Sequence, residues 1–196
     1  MTMATPTKRN AVPTARRPSL SGYVQAGKLL AWSWVDARMD RATNYWITTI
    51  SPGMPSSRPV WGIWLTPNLL FGSGSQIARN IAADPRVQVN LESGDEVVVI
   101  QGRAQRLRDR AQIEAYIARY RVKYNWEIAE DADDLFIVEP VRVLAWIVDG
   151  SGLDGGAAFS NSATEWRFAV GEKRSRPGDR SHKGDRSDKT PRRSRK

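Results

Sequence analysis

The chain has 196 residues, 40% of them hydrophobic and eight of them Trp, enough for one domain with a sizeable core. Its net charge of +9 is uneven: residues 1–18 carry +4, residues 172–196 carry +7, and the segment between them carries −2. There is no Cys and a single His, His182 in the polar C-terminal stretch, which excludes thiolate and His-triad chemistry and a His-containing zinc site within the fold.

Three regions are expected: a disordered Thr/Pro/Arg-rich arm over 1–20, a domain over 21–171, and a basic, low-complexity tail over 172–196. The tail repeats GDRS at 178–181 and 184–187. It reads as solubilising. Weak nonspecific contact with nucleic acid is the alternative, and a lack of aromatics to stack bases stands against it. No stretch approaches a membrane span and no apolar run follows the N-terminal basic residues, so a cytoplasmic protein without a membrane partner is expected.

In chain order, Ser33 is the expected cap of a helix with sequence WVDARMDRA. Asn44–Ile50 reads as a strand by its β-branched and aromatic content, with Trp46 in the core. Ser51-Pro52-Gly53 reads as a turn and Ser57–Leu65 as the next strand, with Pro59 near its start. Trp61 and Trp64 lie three apart and must face opposite sides of that strand. Pro67-Asn68 turns the chain into a strand over Leu69–Ser73, and a helix follows over Ser75–Ala83, stopped by Asp84-Pro85. Its opening, Gly72-Ser73-Gly74-Ser75, offers backbone N–H groups that suit phosphate. An ordinary Ser-capped turn is the alternative. Arg79 similarly reads either as a phosphate ligand or as a surface ion-pair partner.

Arg86–Glu92 and Glu96–Leu107 read as a hairpin around Ser93-Gly94-Asp95, with Gly102 marking a bulge or a close backbone approach. Asp109 caps the longest helix, which runs to about Trp126 with Ile113, Tyr116, Ile117, Tyr120 and Tyr124 as its apolar stripe. Lys123 on it reads as solvated and Tyr124 as packing. Residues 127–134 form an acidic loop that lacks the Gly and distal Glu of a calcium loop. Two strands, Phe136–Val138 and Val141–Val148, flank Pro140; a Gly-rich loop spans Asp149–Ala158, and a short strand spans Thr164–Val170. Successive strands with short turns and two clear helices predict a mainly β (α+β) fold, an antiparallel barrel with peripheral helices.

The order and spacing of NYWITT, the Pro-Gly turn, PVWGIWL, SGSQIARN with the following Pro-Arg, and DEVVVIQGRA resembles the FMN-binding split barrels of the pyridoxamine 5′-phosphate oxidase-like family, over roughly residues 32–148. The resemblance implies a six-stranded antiparallel split β-barrel with flanking helices, a homodimer with flavin sites at its interface, and hydride transfer to or from a small substrate. FMN is the implied cofactor, with the deazaflavin coenzyme F-420 or no cofactor as the alternatives. It places Val60, Trp61, Gly62, Ile63 and Trp64 against the flavin ring. Ser73, Gly74, Ser75, Gln76, Arg79 and Asn80 fall at the phosphate. Members usually carry Ser-Arg-Lys before Ala-Arg-Asn, where this chain has Ser75-Gln76-Ile77. The family's C-terminal Thr-Arg-Trp reads Thr164-Glu165-Trp166, so Glu165 is expected to repel an anionic cofactor. A split barrel that has lost flavin and serves as a dimeric binding or scaffold protein is the alternative function.

Overall fold

The computed structural model describes residues 11–19, 27–74, 76–129, 134–148 and 155–169. The expected loop acids Asp131 and Asp133, Ser75 and the tail lie outside them. The elements are α1 (Trp32–Arg41), β1 (Asn44–Ser51), β2 (Met54–Leu65), β3 (Asn68–Gly72), α2 (Gln76–Ala83), β4 (Arg86–Asn90), β5 (Glu96–Arg106), α3 (Arg110–Tyr124), β6 (Leu135–Ile147), α4 (Gly155–Ser162) and β7 (Thr164–Arg167).

Every strand pairing is antiparallel. The order β3-β2-β1-β4-β5-β6 closes through β3–β6 into a six-stranded barrel, and β7 adds to β6 outside the closed ring. This is the mainly β split barrel that the sequence predicts. β6 makes both closures possible because it is long: Leu135–Val138 pairs with β3, while Arg142–Ala145 pairs with β7.

Alternation along the strands decides what goes inside. Tyr45 and Ile47 of β1, Trp64 of β2, Phe71 of β3, Val87 and Val89 of β4 and Val98 and Ile100 of β5 are all buried in the main core. Trp46 is therefore turned outward and is 38% exposed, against the expectation that it packs in the core. Both faces of β1 carry aromatics, and the closed interior has room for only one set. Helices plug the barrel: Val35 and Met39 from α1, Ile77 and Ile81 from α2. A second core lies outside, where Tyr116 and Tyr120 of α3 cover Ile63, Leu70, Leu135 and Ile137.

Several local expectations are corrected. α1 begins at Trp32 with Ala31 at the cap position and no side-chain cap bond, so Ser33 sits inside the helix. Burial of Val35 and Met39 holds that helix. β2 starts at Met54, because Ser51 pairs with Met54 across a tight Pro52-Gly53 turn. Pro55 and Pro59 fit there because β3 pairs only with Gly62–Leu65, leaving the first half of β2 one open edge. β6 is one strand rather than two. Gln101 lies opposite Arg142 and Gly102 opposite Pro140, so a bulge absorbs the proline that cannot donate. A Cβ on Gly102 would lie 2.5 Å from the Glu139 carbonyl oxygen, which is the close approach the sequence signals. The second half of the Gly-rich segment forms α4.

Residues 11–19, inside the segment expected to be disordered, are tied to β7. Arg16 exchanges both backbone hydrogen bonds with Glu165, at 2.9 and 2.8 Å. The Arg17 guanidinium donates to the carbonyls of Asn161 and Ala163 at 3.0 and 3.3 Å, a cation at the C-terminal end of α4. Among the described residues no helix is long and apolar enough to cross a membrane.

Candidate functional site

A groove of about 480 Å³ opens where β2 runs on past the end of β3. β2 supplies Pro59, Val60 and Trp61, the end of β3 supplies Gly72 and Ser73, and α3 supplies Tyr116 and Tyr120. Ile128, Asp134 and Leu135 complete it. The size and the mostly apolar, aromatic lining suit a small planar ligand.

The walls follow from two periodicities. On β2, Trp61 and Ile63 point out while Trp64 points in, as their separation requires. On α3, Tyr116, Tyr120 and Tyr124 stand at i, i+4 and i+8 and form a ladder with centroid spacings of 5.4 and 4.6 Å. Trp61 stacks flat on Tyr124, with 4.8 Å between centroids and 5° between planes, and is still 44% exposed. The Tyr124 hydroxyl lies 3.0 Å from the Gly62 nitrogen, from which it accepts, and 2.8 Å from the Thr43 carbonyl.

Burial pushes the Tyr116, Tyr120 and Tyr124 hydroxyls above their usual range, Tyr124 to about 12. Neighbouring tyrosines add to the shift of Tyr116 and Tyr124, and hydrogen bonds to Gly72 and Gly62 oppose it. These groups are neutral donors at physiological pH. Lys123 is not the solvated residue expected. Its ammonium reaches Tyr45 Oη at 3.0 Å and the Asp40 carbonyl at 3.2 Å, and burial lowers its pKa while the Asp40 carboxylate opposes the shift.

The structure separates the expected ring contacts. Val60 and Trp61 line the groove. Gly62 and Trp64 face the barrel interior, where Trp64 donates to Asp36 at 2.9 Å, and Ile63 is covered by α3. The expected phosphate contacts separate too. Ser73 lines the groove, but its N–H donates to the Asp134 carbonyl at 2.9 Å. Gly74 stands directly under the Asp134 carboxylate: a Cβ there would lie 2.7 Å from Oδ2. Gln76, Arg79 and Asn80 bond to one another. Gln76 Oε1 accepts from Arg79 at 2.7 and 3.0 Å, and Gln76 donates to Asn80 at 2.8 Å. Asn80, buried, donates to Thr49 Oγ1 at 2.8 Å. The groove has the size and apolar lining for a planar ring, and among the described residues of its turn the Asp134 carboxylate stands where a phosphate would need donors.

Glu165 has a different role from the one expected. It is 1% exposed, and it accepts from Arg142 at 2.6 Å and Arg167 at 2.7 Å, with Arg16 at 3.3 Å. Three cations surround one anion, so the local charge is positive and the expected repulsion is cancelled. Sequence reasoning took Tyr116 and Tyr120 for packing alone and left Asp134 in an acidic loop. The i, i+4, i+8 tyrosines were the available signal for the wall; nothing in the local sequence pairs Asp134 with Gly74. No group of three or more metal-ligating side chains is found among the described residues.

The pyridoxamine 5′-phosphate oxidase family model matches residues 35–147, from α1 to the end of β6. No curated protein matches the chain in sequence. A conserved hypothetical protein of Mycobacterium tuberculosis has the same fold, with a TM-score of 0.52 and 18% identity over 66% of this chain and 89% of that one. General Stress Protein 26 of Bacillus anthracis superposes with a TM-score of 0.50 and 13% identity over 58% and 91%. An FAD-binding protein of Mesorhizobium loti gives 0.48 and 15% over 70% and 95%. The family model covers more than half of the residues, and its span coincides with the closed barrel and the groove beside it: the chain belongs to the pyridoxamine 5′-phosphate oxidase family.

Proposed function

We propose that the chain is a flavin-type oxidoreductase acting on a small substrate, with FMN or the deazaflavin coenzyme F-420 as the candidate carriers of the ring. A bound flavin would supply hydride-transfer chemistry, which no protein side chain supplies by itself. The observation that carries the reading is the groove beside β2. Trp61 and the partly accessible Tyr120 offer aromatic surface, Ile128 and Leu135 exclude water, and the neutral Tyr120 hydroxyl can donate to a ring carbonyl. A cytoplasmic location goes with this reading.

A homodimer is part of the proposal. Trp46 and Ile50 lie on the outer face of β1, and Trp61 of the paired β2 shares that face, all three well exposed. Large apolar side chains gathered on one sheet face favour self-association. Sedimentation at micromolar concentration tests this, and a monomer there refutes it.

The absorbance spectrum of the purified protein, followed by titration with riboflavin, FMN and F-420, tests the function. Visible flavin bands or saturable fluorescence quenching are expected. Colourless protein that binds none of the three at high micromolar concentration refutes it. The second reading, a dimeric binding or scaffold protein without flavin, is favoured by one observation, the Asp134 carboxylate seated over Gly74.

A further inference from the structure

The geometry points to Asp134 as a specificity-determining residue that makes the groove select a planar ring with an uncharged, hydroxyl-bearing tail over the same ring bearing a phosphate ester. This inference rests on the flavin reading above.

Asp134 is the only charged side chain among the described residues that line the groove. It sits at the end formed by Gly72 and Ser73, where the chain turns from β3 toward α2. Two contacts hold it. The Ser73 N–H donates to its carbonyl at 2.9 Å, continuing the β3–β6 ladder one step beyond the Gly72–Leu135 pair. Arg106 donates to its Oδ1 at 3.1 Å. That leaves Oδ2 turned to Gly74, in the space a side chain would fill.

At Gly74, backbone that could receive an anion therefore already faces a carboxylate. Arg79, the cation nearest in sequence, donates to Gln76. A phosphate brought to this end meets like charge, offset only in part by the Arg106 guanidinium on Oδ1. Hydroxyls of a polyol tail reverse the sign of the interaction, because a carboxylate accepts from them. Glycine at position 74 makes the seat possible: any larger residue would push Asp134 away.

Riboflavin and FMN differ only in the terminal phosphate, so their relative affinity isolates the effect. Both are titrated by fluorescence quenching into the full-length wild type, Asp134→Asn and Arg106→Gln, with circular dichroism confirming that each variant is folded. The wild type is expected to bind riboflavin about tenfold or more tightly than FMN. Asp134→Asn should remove most of that preference while changing riboflavin affinity little. Arg106→Gln, which leaves the carboxylate without that guanidinium, should enlarge it, and added salt should shrink it. FMN binding as tightly as riboflavin to the wild type, or a preference that Asp134→Asn leaves intact, overturns the inference while leaving the flavin reading standing. Failure of both ligands to bind any of the three proteins overturns the inference, and failure of F-420 to bind as well overturns that reading with it.

Discussion

Replacing Glu165 by Gln removes one negative charge from a site where three guanidiniums converge. Oε1 accepts from Arg142 and Arg167 at 2.6 and 2.7 Å, and Arg16 approaches Oε2 at 3.3 Å. The carboxylate is 1% exposed, so water cannot replace it, and an amide would turn one donor toward cations. Removing one partner of a buried pair costs about 3–5 kcal/mol. The Arg16 and Arg167 side chains are about half exposed, at 49% and 58%, and recover some hydration. A cost of about 3 kcal/mol follows, near the low end of that range. With a urea slope of about 2 kcal/mol/M, the unfolding midpoint should fall by about 1.5 M. Glu165→Arg, which installs the residue usual in the family, should fall further, because four cations would then share the site. A midpoint for either variant within about 0.3 M of wild type would refute the assignment of Glu165 as the charge that gathers this cluster.

Trp61→Ala should weaken binding of a flavin ring about tenfold, measured by quenching, while costing about 1 kcal/mol of stability from the lost stack on Tyr124. Gly102→Ala forces a methyl to 2.5 Å from the Glu139 carbonyl oxygen and should cost about 1–3 kcal/mol in urea unfolding; an unchanged midpoint would mean that the bulge relaxes freely. Tyr124 binds its proton more tightly in the folded state, with a pKa raised to about 12 chiefly by burial, so its contribution to stability is complete below the ordinary value of 10 and declines as pH rises from 10 to 12. Urea midpoints measured across that window should show the decline in wild type and a smaller one in Tyr124→Phe.

The barrel was legible in the sequence because β-branched residues alternate along β4 and run unbroken over Val97–Ile100 of β5, and because turn residues stand between the strands. What the sequence left open was choice of face. Tyr45-Trp46-Ile47 carries apolar side chains on both faces, so parity alone could not say that Trp46 points outward. α1 lacks its expected cap because burial at the barrel end determines where it starts. α4 hides in a Gly-rich segment of low helical propensity and is held at its C-terminal end by Arg17, more than 140 residues away in sequence. The groove was half legible. Val60, Trp61 and Ser73 were named in advance, whereas Tyr116, Tyr120 and Asp134 reach it from elements separated from β2 by some 50 residues or more. Contacts of that kind depend on closure of the barrel, not on local pattern.

The same long-range logic bears on restoring a phosphate site by substitution. The family usually has Lys where this chain has Ile77, and Ile77→Lys would be the obvious repair. Ile77 is 4% exposed and packs in the main core, beneath the end of the barrel that α2 closes. Substitution there forfeits about 1.5–3 kcal/mol of apolar burial and places an ammonium among Val, Ile and Phe side chains, where it must either deprotonate or drag the first turn of α2 outward. The expected outcome is a destabilised protein, lower by at least about 3 kcal/mol, with no gain in FMN affinity. Gln76 is exposed on the same helix, so Gln76→Arg adds a cation without touching the apolar core, at the cost of the hydrogen bonds Gln76 makes with Asn80 and Arg79. It should raise FMN affinity modestly, and more in the Asp134→Asn background than in wild type, because Asp134 opposes it there. Thermal melts and FMN titrations of the wild type, Ile77→Lys, Gln76→Arg, Asp134→Asn and the double variant decide the matter. A fully stable Ile77→Lys variant with enhanced FMN binding would show that α2 turns freely about its axis, and that the buried position of Ile77 is not what keeps this chain from presenting a cation to a phosphate.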